Sequence, residues 1–250
     1  MKFSFKLKPF LILSICFVLF TVIGTVSHEH GHILVAKAYG HTTVLHYGSM
    51  DYYPSGYFSD EDYTGLVELH NKYKGKEKKD WTEEDLKEFY NRNQALRSKY
   101  DREWKKGRLG IRLGGPIQTM LTGILGLAII FYRRLKIREK GLRTFDWLAV
   151  FLSLFWLRQV FNLLVSIGSE IISPNGTWFS GDEYYLSKDL GIWSGSISLA
   201  TGIIGAVIAS IVIFVFVPKK LRLSFIASGV IGSGLGFILW MYMLGPILLP

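Results

Sequence analysis

The stretch PFLILSICFVLFTVIGTVSHEHGH, residues 9–32, sets the character of the chain. From Pro9 to Ser27 it carries no charged side chain, and it then runs into His28-Glu29-His30-Gly31-His32. Wound as a helix, an uncharged run of this length crosses the roughly 30 Å of a bilayer's hydrocarbon. Residues four apart share a helix face, so His28 and His32 can turn imidazole nitrogens toward one cation. His30 faces away from both and is not expected to be a ligand. Glu29 lies beside the pair. H-E-x-x-H is the spacing in which two imidazoles hold a metal that acidifies a water, while the neighbouring carboxylate takes the proton. A signal peptide would share the basic start (Lys2, Lys6, Lys8) and the apolar run. This run, however, is long, has no small-residue cleavage site and ends in the metal motif.

Outward from that stretch the pattern repeats. Residues 113–132, 190–217 and 223–250 are uncharged, and 147–169 contain only Arg158. The chain therefore reads as an all-α polytopic membrane protein with about five transmembrane helices. A small mixed α/β insert is expected between the first and second. The divisions are 1–40, the first span with its motif; 41–108, the polar insert; and 109–250, a core of four helices containing segment 162–189. The lone Cys16 excludes a disulfide framework and a thiolate metal site.

The net charge of +9 is not spread like a nucleic-acid surface. Lys2, Lys6 and Lys8 precede the first span. Arg133, Arg134, Lys136, Arg138, Lys140 and Arg143 join the second to the third, and Lys219, Lys220 and Arg222 join the fourth to the fifth. Five spans with a cytoplasmic N-terminus put all three clusters on the cytoplasmic side. The lipid bilayer, not nucleic acid, is the expected partner. Segment 170–189, with Glu170, Asp182, Glu183 and Asp189, then falls outside.

In the insert, Gly40 is a plausible end for the first helix, and Thr42 to Tyr47 reads as a strand. Tyr52 to Tyr57 reads as turn and loop, and Asn71 to Lys79 as a solvated linker. Thr82 followed by Asp85 resembles a capping box. Leu86, Phe89, Tyr90, Asn93, Leu96 and Tyr100 continue at helical spacing toward Gly107. Gly114-Gly115-Pro116, Gly123 and Gly126, and later Gly229, Gly232, Gly234 and Gly236, are small residues suited to close helix packing in lipid. The run Gly232-Ser233-Gly234-Leu235-Gly236 lacks the strand and lysine of a nucleotide loop. Pro116 is expected near a helix start.

Two histidines leave a metal site incomplete. His41, His46 and His70 in the insert, and Glu170, Asp182, Glu183 and Asp189 between the third and fourth spans, are the candidates for the missing ligand.

His28-Glu29-His30-Gly31-His32, continuing through Ile33 to Gly40, resembles the first motif of the site-2 protease family of membrane-embedded zinc metalloproteases. Gly114-Gly115-Pro116 is similar to that family's glycine-proline signature. Phe161-Asn162-Leu163-Leu164 resembles the opening of its second catalytic motif, whose aspartate is the third ligand. Asp182, in Ser180-Gly181-Asp182-Glu183, is the best match to that aspartate, with Glu183 and Glu170 as alternatives. The chain departs from the pattern in three ways. Val165 replaces a proline, the aspartate comes twenty residues after Asn162, and its glycine precedes it. The charges also place His28 toward the outer face, whereas family members commonly hold the metal nearer the cytosol.

The resemblance implies a zinc-dependent endopeptidase, one Zn2+ per chain, acting on a membrane protein or peptide substrate. His28, His32 and Asp182 would hold the metal and Glu29 would be the base. Asn162 is a candidate donor to substrate or oxyanion, or alternatively a helix-to-helix bond. Arg158, a guanidinium in mid-span, is a further candidate for substrate or transition-state support. It calls for an acidic partner in segment 170–189 or a polar cavity leading to the metal, unless a shorter span simply ends there. The competing reading is a catalytically inactive membrane protein that binds a client helix or a structural metal. Asn175-Gly176-Thr177 matches a glycosylation sequon.

Overall fold

The computed structural model describes residues 5–172, 174 and 179–250. Lys2 and the sequon at 175–177 lie outside these residues. Among the described residues, five helices are long and apolar enough to cross a membrane. The first is α1 (Leu7–Ala38). The second is α4 (Arg108–Lys140), and the third is α5 (Thr144–Ser153) continuing through a short 3-10 turn into α6 (Leu157–Ile172). The fourth is α8 (Ser196–Ile211), extended by a π turn to Phe216, and the fifth runs from α9 (Arg222–Leu239) through a second π turn into α10 (Gly245–Leu248). The expected all-α polytopic architecture is what the chain adopts.

α1 satisfies most of its hydroxyls within the helix. Ser14, Thr21 and Thr25 each donate a hydroxyl proton to the carbonyl four residues back. Leu7, Leu11, Ile12, Ile15, Leu19 and Ile23 are exposed outward, as a lipid-facing stripe would be. The helix ends where the motif requires it to. Gly40 adopts a left-handed φ of +85°, Gly40 N–H donates to Lys37 O and His41 N–H donates to Ala36 O. This is the double-bonded C-terminal cap that glycine permits at no steric cost.

α1 lies between α9 and α4; α4 packs in turn on α5, and α6 on α8. Phe17 forms edge contacts with Phe151 and Phe225, and Phe20 stacks on Phe151. Leu13, Ile130, Val150 and Val212 complete this core. Close helix approach comes from small residues. A Cβ at Gly232 would strike Ser14 and Phe17, and one at Gly126 would strike the backbone of Ala149 and Ser153. The glycine runs are therefore packing surfaces, as read, although Gly234 itself faces open space.

Between α1 and α4 sits the insert. β1 (Thr42–Leu45) pairs antiparallel with β2 (Met50–Tyr53), Thr42 opposite Tyr53. The expected strand ends two residues early, and Tyr52 and Tyr53 are strand rather than loop. Their rings make tilted and edge contacts with His41 and Trp104, which rewards an extended backbone there. α2 (Glu61–Lys72) occupies part of the expected linker and was not foreseen; its start is capped by Asp60, which accepts from Asp62 N–H. α3 (Glu83–Lys105) begins as expected at Thr82, whose hydroxyl accepts from Asp85 N–H. Only half of the reciprocal box forms, because Thr82 N–H donates to Tyr73 Oη instead. Pro116 sits nine residues into α4 rather than near its start, since the charged turn from Arg108 to Arg112 extends that helix.

All described basic short-loop clusters lie at one end of the bundle. Lys6 N–H donates to Ser224 Oγ, joining the start of α1 to that of α9. Arg133 pairs with Asp146 across the α4–α5 turn, and Phe131 of α4 meets Phe216 at the end of α8. The motif histidines lie toward the other end.

Candidate metal centre

His28 and His32 are one turn apart on the buried face of α1, with 1 % and 6 % exposure. Their Nε2 atoms are 3.2 Å apart. Asp182, the second residue of α7 (Gly181–Asp189), brings Oδ2 to 3.0 Å from His28 Nε2 and 3.2 Å from His32 Nε2. Three ligand atoms thus form a nearly equilateral triangle, and the three residues make a group that can hold a metal ion. Among the described residues, neither Glu170 nor Glu183 joins it.

His32 Nδ1 lies 2.6 Å from the carbonyl oxygen of Ile111, which can only accept, so this nitrogen carries the proton. The Gly115 amide also approaches it, but at a looser 3.3 Å. His28 Nδ1 lies 2.9 Å from Thr119 Oγ1, whose own hydroxyl proton is given to Gly115 O. This Nδ1 therefore donates as well. With both Nδ1 protons so placed, each neutral ring presents a bare lone pair at Nε2. Two lone pairs and a carboxylate oxygen then converge with no proton between them. Such a cluster of acceptors suits a cation, and fixing a ring through its other nitrogen is how metal-binding histidines are held.

The local sequence explains how α4 comes so close. A Cβ at Gly31 would strike the Gly114 carbonyl, and one at Gly114 the Gly31 carbonyl. A Cβ at Gly115 would collide with both imidazoles. The glycine pair before Pro116 is therefore required by this crossing. On the other side, Gly181 takes a left-handed φ of +78°, a conformation that favours glycine, as the chain enters α7. Asp189 at the far end of α7 pairs with Arg112 and Arg108 of α4. Those ion pairs anchor the helix that carries Asp182.

Glu29 is 5 % exposed, and its Oε1 lies 3.9 Å from Arg158 Nη2. The mid-span guanidinium thus finds its acidic partner on α1 rather than in segment 170–189. Arg158 Nε is buried with no partner among the described residues. Asn162 Nδ2 donates to Glu183 Oε2 at 3.4 Å, next in sequence to Asp182, while Glu183 Oε1 is buried without a partner among the described residues. Burial raises the Glu183 carboxyl above its ordinary value.

The remaining candidates serve elsewhere. His41 is buried beside Tyr52 and Lys106 O, His46 bridges Asp51 and Pro250 O, and His70 is on the exposed side of α2. His30 is exposed and donates back to Val26 O. Thr119 and the Ile111 carbonyl escaped the sequence reading. A threonine four residues after a glycine in an apolar helix looks like ordinary self-bonding, and a backbone carbonyl has no sequence signature.

The chain matches no protein-family model, no curated protein and no solved structure.

Proposed function

We propose that the chain is a zinc-dependent endopeptidase embedded in the membrane, of the kind its likeness to site-2 proteases implies, acting on membrane-associated proteins. The supporting observation is the convergence of His28 Nε2, His32 Nε2 and Asp182 Oδ2, with Glu29 on the same helical turn. Two imidazole nitrogens and one carboxylate oxygen, with no thiolate, make a donor set that suits zinc and leave a fourth position open. Zinc, when bound, supplies an acidified water and a polarised scissile carbonyl.

The chain's own groups do the rest. Thr119 and the Ile111 carbonyl hold the imidazoles in the tautomer that presents Nε2. A Glu29 carboxylate oxygen takes the water proton and returns it to the leaving amine. Arg158 keeps that carboxylate oriented. Among the described residues no third strand joins the β1–β2 hairpin, so an extended substrate can add at its edge. The basic end of the bundle faces the cytoplasm by the positive-inside bias, and the metal centre lies toward the opposite side.

One feature favours an inactive metal-holding or client-binding protein: Glu29 is already paired with Arg158. Purified protein in proteoliposomes, assayed for zinc and for cleavage of a membrane-bound reporter, separates the readings. Glu29→Gln is expected to retain one zinc and to lose cleavage by about 10²–10⁴-fold. Undiminished cleavage by Glu29→Gln would sink the protease reading, and zinc without cleavage in the wild type would favour the inactive one.

A further inference from the structure

At the basic end of the bundle, away from the metal centre, a cavity of about 170 Å³ lies where α4 turns into α5. Arg133, Lys136, Lys140 and Arg143 line it, with Gly141 and one carboxylate, Asp146. That carboxylate is already engaged. Asp146 accepts from Arg133 and from the Arg143 backbone N–H, and is itself 1 % exposed. Lys136 and Lys140 have no carboxylate partner among the described residues, and both are exposed. Four cations against one carboxylate leave a lining charge of +3.

This arrangement opposes itself in the absence of a ligand. Arg133, Lys136 and Lys140 are spaced three and four residues apart on α4, so they share one face and repel. An anion seated among them removes that repulsion. The surroundings specify what carries the anion. On the same helices Tyr132, Leu135 and Phe145, neighbours in sequence of the lining cations, expose 90 %, 64 % and 53 % of their surface, and these helices are long and apolar enough to span a membrane. Phe145 also lies under the Arg133 guanidinium. A charged hollow on helices that otherwise expose apolar side chains fits a ligand with an anionic head and hydrocarbon tails.

We propose that this cavity binds the headgroup phosphate of an acidic phospholipid. Basic pockets at the ends of membrane helices recognise such headgroups through the summed attraction of several cations. Lys136 and Lys140 supply mobile ammonium donors. Arg143 adds a second guanidinium, while Arg133 stays tied to Asp146 and shapes the floor. The lipid would bridge the α4–α5 turn.

The test uses the full chain in nanodiscs of phosphatidylcholine containing a minor fraction of phosphatidylglycerol, with retained lipids counted by native mass spectrometry. The wild type is expected to keep phosphatidylglycerol over phosphatidylcholine. Lys136→Gln/Lys140→Gln should weaken this retention roughly 25-fold, about five-fold for each cation removed. Arg134→Gln/Arg138→Gln removes the same charge from positions that do not line the cavity, and should leave retention within about two-fold. Lys136→Arg/Lys140→Arg should restore it, which separates loss of charge from loss of fold. Equal loss in both Gln pairs would overturn the site in favour of diffuse surface charge. Displacement of the lipid by inorganic phosphate at matched concentration would overturn the lipid in favour of a free anion. No preference for phosphatidylglycerol in the wild type would overturn the proposal outright. None of these readouts depends on zinc or on peptide cleavage.

Discussion

The aromatic half of the bundle and the half that holds His28 are built on opposite terms. Around Phe17, Phe151 and Phe225 the contacts are ring on ring, with aliphatic side chains filling the space between. Around His28 the buried polar groups are held by specific partners: Thr119 for one ring, the Ile111 carbonyl for the other, Arg158 for Glu29. In lipid, packing of the first kind holds helices together because apolar tails compete poorly in shape with a facing helix. The second kind contributes little to cohesion and much to orientation. It also leaves Arg158 Nε and Glu183 Oε1 buried without partners among the described residues, a strain that is tolerated where groups are kept ready for a ligand. The aromatic half should accept repacking, whereas the polar half should not.

That contrast can be broken in several places. Asp182→Asn replaces a charged acceptor with a neutral amide, and bound metal measured by elemental analysis should fall from one per chain to near zero while the helical circular dichroism stays unchanged. Retention of metal by that variant would return Glu183 or Glu170 to consideration. Thr119→Val keeps shape but removes the acceptor for His28 Nδ1, and metal affinity from chelator competition should drop about 10- to 100-fold. In the aromatic half, Phe225→Ala should cost about 2 kcal/mol, the cavity part of a core truncation, since transfer to lipid adds little. Its metal stoichiometry should be untouched, and a loss of metal there would show that the halves are coupled.

The insert, away from the apolar spans, offers the smallest effect. Asp85 accepts from Lys72, Tyr73 and Thr82, and these bonds hold its carboxyl down at about 2 from the ordinary 3.8. The folded insert therefore binds that proton less readily than the unfolded one. Its contribution is full above about pH 5 and is lost as pH falls toward 2. Limited proteolysis between α2 and α3 should accelerate over that window in the wild type and change less with pH in Asp85→Asn. Identical acid profiles for the two would remove Asp85 from the account.

Much of the fold was open to reading because it is local. A run without charge from Pro9 to Ser27 must be shielded from water or placed in lipid, and four-residue spacing puts His28 and His32 on one face whatever the rest of the chain does. Thr82 and Gly40 likewise act on their immediate neighbours. The short strand at Met50–Tyr53 was hidden because its tyrosines look like loop residues until Trp104, some fifty positions on, packs against them.

The sequence by itself determined the five apolar helices, the paired imidazoles and the carboxylate beside them, since each follows from spacing within a few turns. Only the tertiary structure decided which acid joins the rings. Asp182 is 154 residues from His28, and it arrives there because Asp189 ties α7 to the arginines of α4. The same holds for Arg158 meeting Glu29, for Thr119 orienting a ring, and for the cations gathered at the α4–α5 turn. Each is a meeting of distant segments, and it is the crossing of packed helices, not any short pattern, that sets which side chains come within reach.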